Sequence, residues 1–140
     1  MANFLLVNLV VLLFTNSLSD KTIPVYKFDQ FKHYLDYKND TTYVINFWAT
    51  WCVPCRKELP DFEKLNSTYS KQAVKVLLVS LDESENMDKS LIPFIEKYQL
   101  KSKIVVLDDP NSNYWINQIN PSWNGTIPAT HDLQLQKRVQ

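Results

Sequence analysis

A single glycine, two cysteines and two histidines serve a chain of 140 residues. One glycine excludes the glycine-rich loops that wrap phosphates or dinucleotides, because such loops need several residues without a Cβ. The two histidines, His33 and His131, stand at no finger spacing from the cysteines, so a zinc site with its usual four ligands is poorly supplied. Charge of one sign is lacking as well. Fifteen basic residues cancel fifteen acidic ones, which leaves no basic face for nucleic acid and no acidic tail. The longest hydrophobic run, Phe4 to Phe14, is broken only by Asn8 and falls short of the ~20 apolar residues that span a bilayer.

What is present bounds the class. Hydrophobic residues make up 45% of the chain and aromatics 13%, enough for the core of one domain. The apolar run at the amino end, followed by Ser17-Leu18-Ser19 ahead of Asp20, has the pattern of a secretory signal peptide over residues 1–19. An uncleaved amino-terminal membrane anchor is the competing reading. With the leader removed, the domain is residues 20–140, working in an extracytoplasmic compartment, periplasmic or secreted, where disulfides persist.

Downstream, strand and helix patterns alternate. A short extended piece at 23–26 precedes a helical segment from Phe28 to about Tyr37. The β-branched and aromatic run "TYVINFWA" and the run "VKVLLVSL" read as strands covered on both faces. Between them, Leu59, Phe62, Leu65 and Tyr69 fall near helical spacing. A further helix is predicted around Leu91–Tyr98, a third short strand over Ile104–Leu107, and a last helix within "DDPNSNYWINQI", stopped by Asn120-Pro121. This order predicts an α/β domain with a largely parallel central sheet and helices on both sides.

Both cysteines lie in "WATWCVPCRKELP", as Cys52 and Cys55. Three readings compete: a zinc ligand pair, a structural disulfide and a redox-active dithiol. A disulfide closing so small a loop adds little stability. Position favours the dithiol, since Cys52 directly follows a buried strand and opens a helix. The amides and positive partial charge at a helix's leading end stabilise a thiolate there, and the thiolate is the attacking species in disulfide exchange. Cys55, one turn further in, is then the resolving thiol. Pro54 suits the first helical turn and, with Val53, tunes the pair. Glu58, three residues beyond Cys55, has no cation three or four residues away. It is either a solvated helical charge or a carboxylate tucked beneath the sulfurs that exchanges a proton with Cys55. Trp51 is expected to border the reactive sulfur, and Trp48 to pack in the core. Trp115 and Trp123 fit either an apolar rim or plain packing.

The segment "FWATWCVPCRKELP" resembles the active-site segment of the thioredoxin superfamily, and in particular its exported TlpA/ResA-like thiol-disulfide oxidoreductases. Asn46, Glu58, "VSLDES" and "VLDDPNSNYW" are similar to that branch. The resemblance implies a thioredoxin-like fold with a central mixed sheet, and a cis-proline loop facing the dithiol. Pro128 in "GTIPAT" takes that place, and the backbone of Ile127 would pair with an incoming substrate strand. It further implies a monomer that reduces disulfides of protein substrates, is recharged by an upstream redox partner, and needs neither metal nor organic cofactor. After the proline loop, that fold continues with strands and a closing helix. Here only "ATHDLQLQKRVQ" remains, enough for one weak strand at Leu133 and Leu135, so the carboxyl-terminal edge strand and helix are expected to be lacking. An inactive or truncated thioredoxin-like binding module and a thiol peroxidase are the alternative functions.

Overall fold

A computed structural model describes residues 22–37 and 39–132. The expected leader at 1–19 and the weak strand at Leu133 and Leu135 lie outside these residues. Five strands form one sheet in the order β1-β4-β3-β2-β5. They are β1 (Val25–Tyr26), β2 (Thr42–Trp48), β3 (Val74–Ser80), β4 (Lys103–Leu107) and β5 (Ala129–Asp132). The first four run parallel and β5 is antiparallel to β2, so the sheet is mixed. The central strands β2 and β3 are the two β-branched runs of the sequence, where stiff side chains fit a pleated surface covered on both sides.

Strand periodicity divides the core. Ile45 and Phe47 of β2, Leu77 and Val79 of β3 and Val105 of β4 face one side. There they meet Phe28 and Phe31 of α1 (Phe28–Phe31), Tyr34 of the 3-10 turn that follows it, and Trp115 and Ile119 of α4 (Ser112–Ile119). Val44 and Trp48, Val76 and Leu78, and Ile104 and Val106 face the other side. They are covered by Cys55, Leu59, Phe62 and Leu65 of α2 (Val53–Thr68) and by Leu91, Phe94 and Ile95 of α3 (Leu91–Tyr98). Full burial of each such aliphatic or aromatic side chain contributes roughly 1.5–3 kcal/mol. The two apolar faces of one sheet therefore fix which helices lie on which side.

The expected helix from Phe28 tightens after one turn into a 3-10 segment, Lys32–Leu35. Trp115 is buried in the core with its Nε1–H donating to the Asp109 carbonyl at 3.0 Å, and Trp123 lies against Phe47 and His131. Trp115 is thus a core residue, whereas Trp123 is half-buried and packs against the same cluster. The lone glycine, Gly125, has φ +86° in the loop before β5, a conformation that costs residues with a Cβ about 1–2 kcal/mol.

Candidate active site at the carboxyl end of the sheet

The site begins where β2 ends. After Trp48 the chain turns through Ala49 and Thr50, and the Cys52 N–H donates back to the Ala49 carbonyl at 3.1 Å. Cys52 is the N-cap of α2 in an extended conformation, and Pro54 lies in the first turn, where its missing N–H costs no helical bond. Cys52 and Cys55 form a disulfide with Cα atoms 5.3 Å apart. The backbone N–H of Cys55 donates to Cys52 Sγ at 3.3 Å. One free amide of the helix start is thus already aimed at the first sulfur. Cys52 is 6% exposed and Cys55 1%, so the second sulfur is the more deeply placed, as the turn between them requires.

The peptide bond between Ile127 and Pro128 is cis, and the Ile127 carbonyl oxygen lies 3.9 Å from Cys52 Sγ. Chain segments 75 residues apart in sequence therefore meet at the reactive sulfur. Trp51 is 67% exposed and Val53 51%. With the two sulfurs between α2 and the proline loop, they give the site an apolar outer margin.

Glu58 departs from one expectation. It is exposed, and its side chain makes no hydrogen bond or ion pair among the described residues, so it is not tucked beneath the sulfurs. At that height α2 turns Cys55 and Leu59 inward and leaves the flank carrying Glu58 open to water. One buried polar residue on the α2 side of the sheet is Asn46, between Val44 and Trp48. Its Nδ2 donates to Thr130 Oγ1 at 3.1 Å. An amide there neither carries charge nor exchanges a proton near neutrality.

Sequence reasoning missed Asp82, Thr50 and His131. Asp82 is a buried carboxylate on the segment after β3, hydrogen-bonded to Thr50 in the dithiol turn. The one available signal was Ser80-Leu81-Asp82, a polar pair closing an apolar strand. His131 is buried on β5, with rings of Phe47 and Trp123 at 5.7 and 5.4 Å. Burial lowers its pKa from the ordinary 6.5. Among the described residues no group of three or more His, Cys, Asp or Glu could hold a metal ion, and no helix is long and apolar enough to cross a membrane.

Residues 16–120 match the AhpC/TSA family. The chain belongs to that family. Within it, similarity runs to thiol-disulfide oxidoreductases of the thioredoxin type. Thioredoxin-like protein YneN of Bacillus subtilis is 38% identical over 63 residues, 45% of this chain and 36% of that protein. Thiol-disulfide oxidoreductase ResA of Bacillus cereus is 36% identical over 62 residues, 44% of this chain and 34% of that protein. The matched stretches thus span about a third of these relatives. Among solved structures, a thiol:disulfide interchange protein of Chlorobium tepidum superposes with a TM-score of 0.56 at 20% identity, over 72% of this chain and 65% of that one. StoA of Bacillus subtilis superposes at 0.50 and 24% identity, over 68% of this chain and 66% of that one. The fold is thioredoxin-like. The family match ends before Ile127 and Pro128, whose place beside Cys52 comes from the geometry alone.

Proposed function

We propose that this chain is a thiol-disulfide oxidoreductase that reduces disulfides of extracytoplasmic proteins through Cys52 and Cys55. The reading is carried by one observation: Cys52 Sγ sits at the leading end of a 16-residue helix, within 3.3 Å of a backbone N–H. In the reduced protein that donor and the helix dipole favour a Cys52 thiolate. The thiolate attacks one sulfur of a substrate disulfide, forming a mixed disulfide and releasing the other substrate sulfur as a thiolate. The Cys55 thiolate then attacks Cys52 Sγ and expels the second substrate thiolate. Two electrons have passed to the substrate, and the protein is left as the Cys52–Cys55 disulfide. A dithiol protein partner returns it to the reduced form by the reverse exchange.

The positions of the surrounding residues support the following roles. Ile127 and Pro128 hold a backbone edge beside the sulfur, on which an extended substrate segment can pair. Trp51 supplies an exposed apolar contact, and Pro54 stiffens the first turn. Glu58 is open to water and has no role in the exchange; the Cys55 proton is released to solvent as the mixed disulfide resolves. The apolar leader at 1–19 supports export, and protein amino-terminal sequencing of the exported form should begin near Asp20.

The test is reduction of insulin disulfides by the purified chain in dithiothreitol, beside Cys52→Ser. A rate well above the variant's is expected. Folded protein with no advantage over Cys52→Ser would instead identify a binding module. Equilibration with glutathione gives the direction, because a couple more reducing than the substrate's runs as a reductase.

A further inference from the structure

We propose that Asp82 is a positioning residue for the Cys52–Cys55 couple, holding Thr50 and through it the turn that delivers Cys52 to the amino end of α2. The inference rests on the dithiol reading above. Asp82 is 3% exposed, and no lysine or arginine among the described residues forms an ion pair with it. Its carboxylate instead accepts from the Thr50 N–H at 3.0 and 3.3 Å, from the Thr50 hydroxyl at 2.5 Å, and from the Ser80 hydroxyl at 2.7 Å. The Asp82 N–H donates to Ser80 Oγ at 3.0 Å, which fixes the carboxylate from behind. A buried charge is costly unless its oxygens are satisfied, and here both are engaged, chiefly by one residue.

That residue is two positions before the reactive cysteine. The turn from β2 to α2 has only one internal tie, from the Cys52 N–H to the Ala49 carbonyl, while the Leu81 N–H to the Trp48 carbonyl at 2.8 Å ends the strand ladder just before it. Thr50 is half-buried at the top of the turn, and both of its polar hydrogens end on Asp82. Without that clamp the turn can pivot about Ala49, and Cys52 Sγ shifts against the Cys55 N–H. Charge-assisted hydrogen bonds weaken quickly as their geometry loosens. The clamp touches neither sulfur. Asp82 therefore fixes where the sulfur sits and takes no part in bond making. Its negative charge would by itself disfavour a thiolate, so replacement of charge and replacement of geometry pull in opposite directions.

Three variants separate these effects: Asp82→Ala, Asp82→Asn and Thr50→Val. The readouts are the alkylation rate of Cys52 against pH in the reduced chain and the equilibrium with glutathione, with urea unfolding as a check on folding. Loss of the clamp in Asp82→Ala should slow alkylation near neutral pH by about tenfold, the factor given by one unit of thiol pKa. Asp82→Asn keeps an acceptor for Thr50 and should stay near the parent rate or exceed it. Thr50→Val loses the hydroxyl bond alone and should fall between parent and Asp82→Ala. If folded Asp82→Ala keeps the parent profile and equilibrium, the proposal is wrong and the clamp serves stability only. An Asp82→Asn variant as slow as Asp82→Ala would also overturn it, since geometry would not be what matters. Should Asp82→Ala fail to fold, an unchanged profile in Thr50→Val counts against the proposal. A parent Cys52 that titrates like free cysteine overturns the dithiol reading itself, and this inference with it.

Discussion

The carboxyl ends of β2 and β3 and their amino ends are finished in different ways. At the carboxyl ends, polar groups are drawn inside and matched: Ser80, Asp82 and Thr50 bond to one another, and the turn they hold leads into the disulfide. At the amino ends, aromatic rings and lysines cover the sheet. Tyr37 stacks on Tyr43 with centroids 4.1 Å apart, and Lys103 Nζ lies 4.8 Å from the Tyr34 ring centre. Rings that overlap in this way tolerate sliding, whereas a carboxylate with fixed donors does not. Position is what disulfide exchange requires, and it is specified only at the end where α2 begins. The far end contributes adhesion.

The largest expected difference between the two ends is in activity. Cys52→Ser should lower insulin reduction by at least about a thousandfold, the scale on which a nucleophile's removal acts, with the fold intact by circular dichroism. A smaller effect separates the loops. Gly125 sits before Pro128 at the site end, and a Cβ there would come 2.6 Å from Ile116 Cδ1. That methyl is the far end of a side chain and can yield, so Gly125→Ala should cost about 2 kcal/mol, mostly from the left-handed backbone. Tyr43→Ala at the opposite end should cost roughly 1–2 kcal/mol through the lost stack and buried ring. Specific activity of its folded fraction should match the parent, as measured by insulin reduction alongside urea unfolding. A drop in that specific activity would show that the far end also shapes the site.

How far these differences can be read from residue order depends on their range. Two covered strands were legible because β-branched runs such as Val74–Ser80 leave little choice of environment. The N-cap position of Cys52 was legible because a strand, Pro54 and helical spacing adjoin it. Asn46 was noticed, but its bond to Thr130 spans 84 residues, and no local period records such a pairing. The clamp from Asp82 to Thr50 spans 32 residues and was hidden for the same reason. Glu58 misled because spacing to Cys55 and Phe62 says which flank a residue shares, not whether another element closes over it. Gln99 was also unforeseen: it ends α3 with φ 53°, in a place where glycine is the common choice. The chain spends its one glycine at the site end.

That last contrast yields a modest gain of stability. Gln99 leads towards the amino end of β4, away from the dithiol, and holds a left-handed backbone at a cost that glycine avoids. Gln99→Gly should stabilise the chain by about 0.5–1 kcal/mol and leave activity unchanged. Its side chain donates to the Glu96 carbonyl at 2.6 Å, an exposed bond whose loss offsets part of the gain. No gain at all in the urea midpoint would mean that this bond outweighs the backbone term.

The narrowest effect lies between the two ends, on β5, and is confined to acid pH. His131 is buried against Phe47 and Trp123, and burial holds its pKa below the ordinary 6.5. The unfolded chain takes up this proton near 6.5, whereas the folded chain takes it up only at lower pH. Between the two values the unfolded state binds more protons, so stability is complete above 6.5 and falls as pH drops towards the folded value. Asp109 acts with the same sign, because backbone N–H donors from Phe28 and Asn111 lower its pKa. Its window lies below 3.8, the ordinary carboxyl value, and does not overlap. His131→Phe keeps a ring in contact with both neighbours and removes the titration. The fall in urea midpoint from pH 7.5 to pH 5.5 should therefore be smaller in His131→Phe than in the parent. Equal falls would mean that the folded protein protonates this ring as readily as the unfolded chain does, which a histidine enclosed by Phe47 and Trp123 should resist.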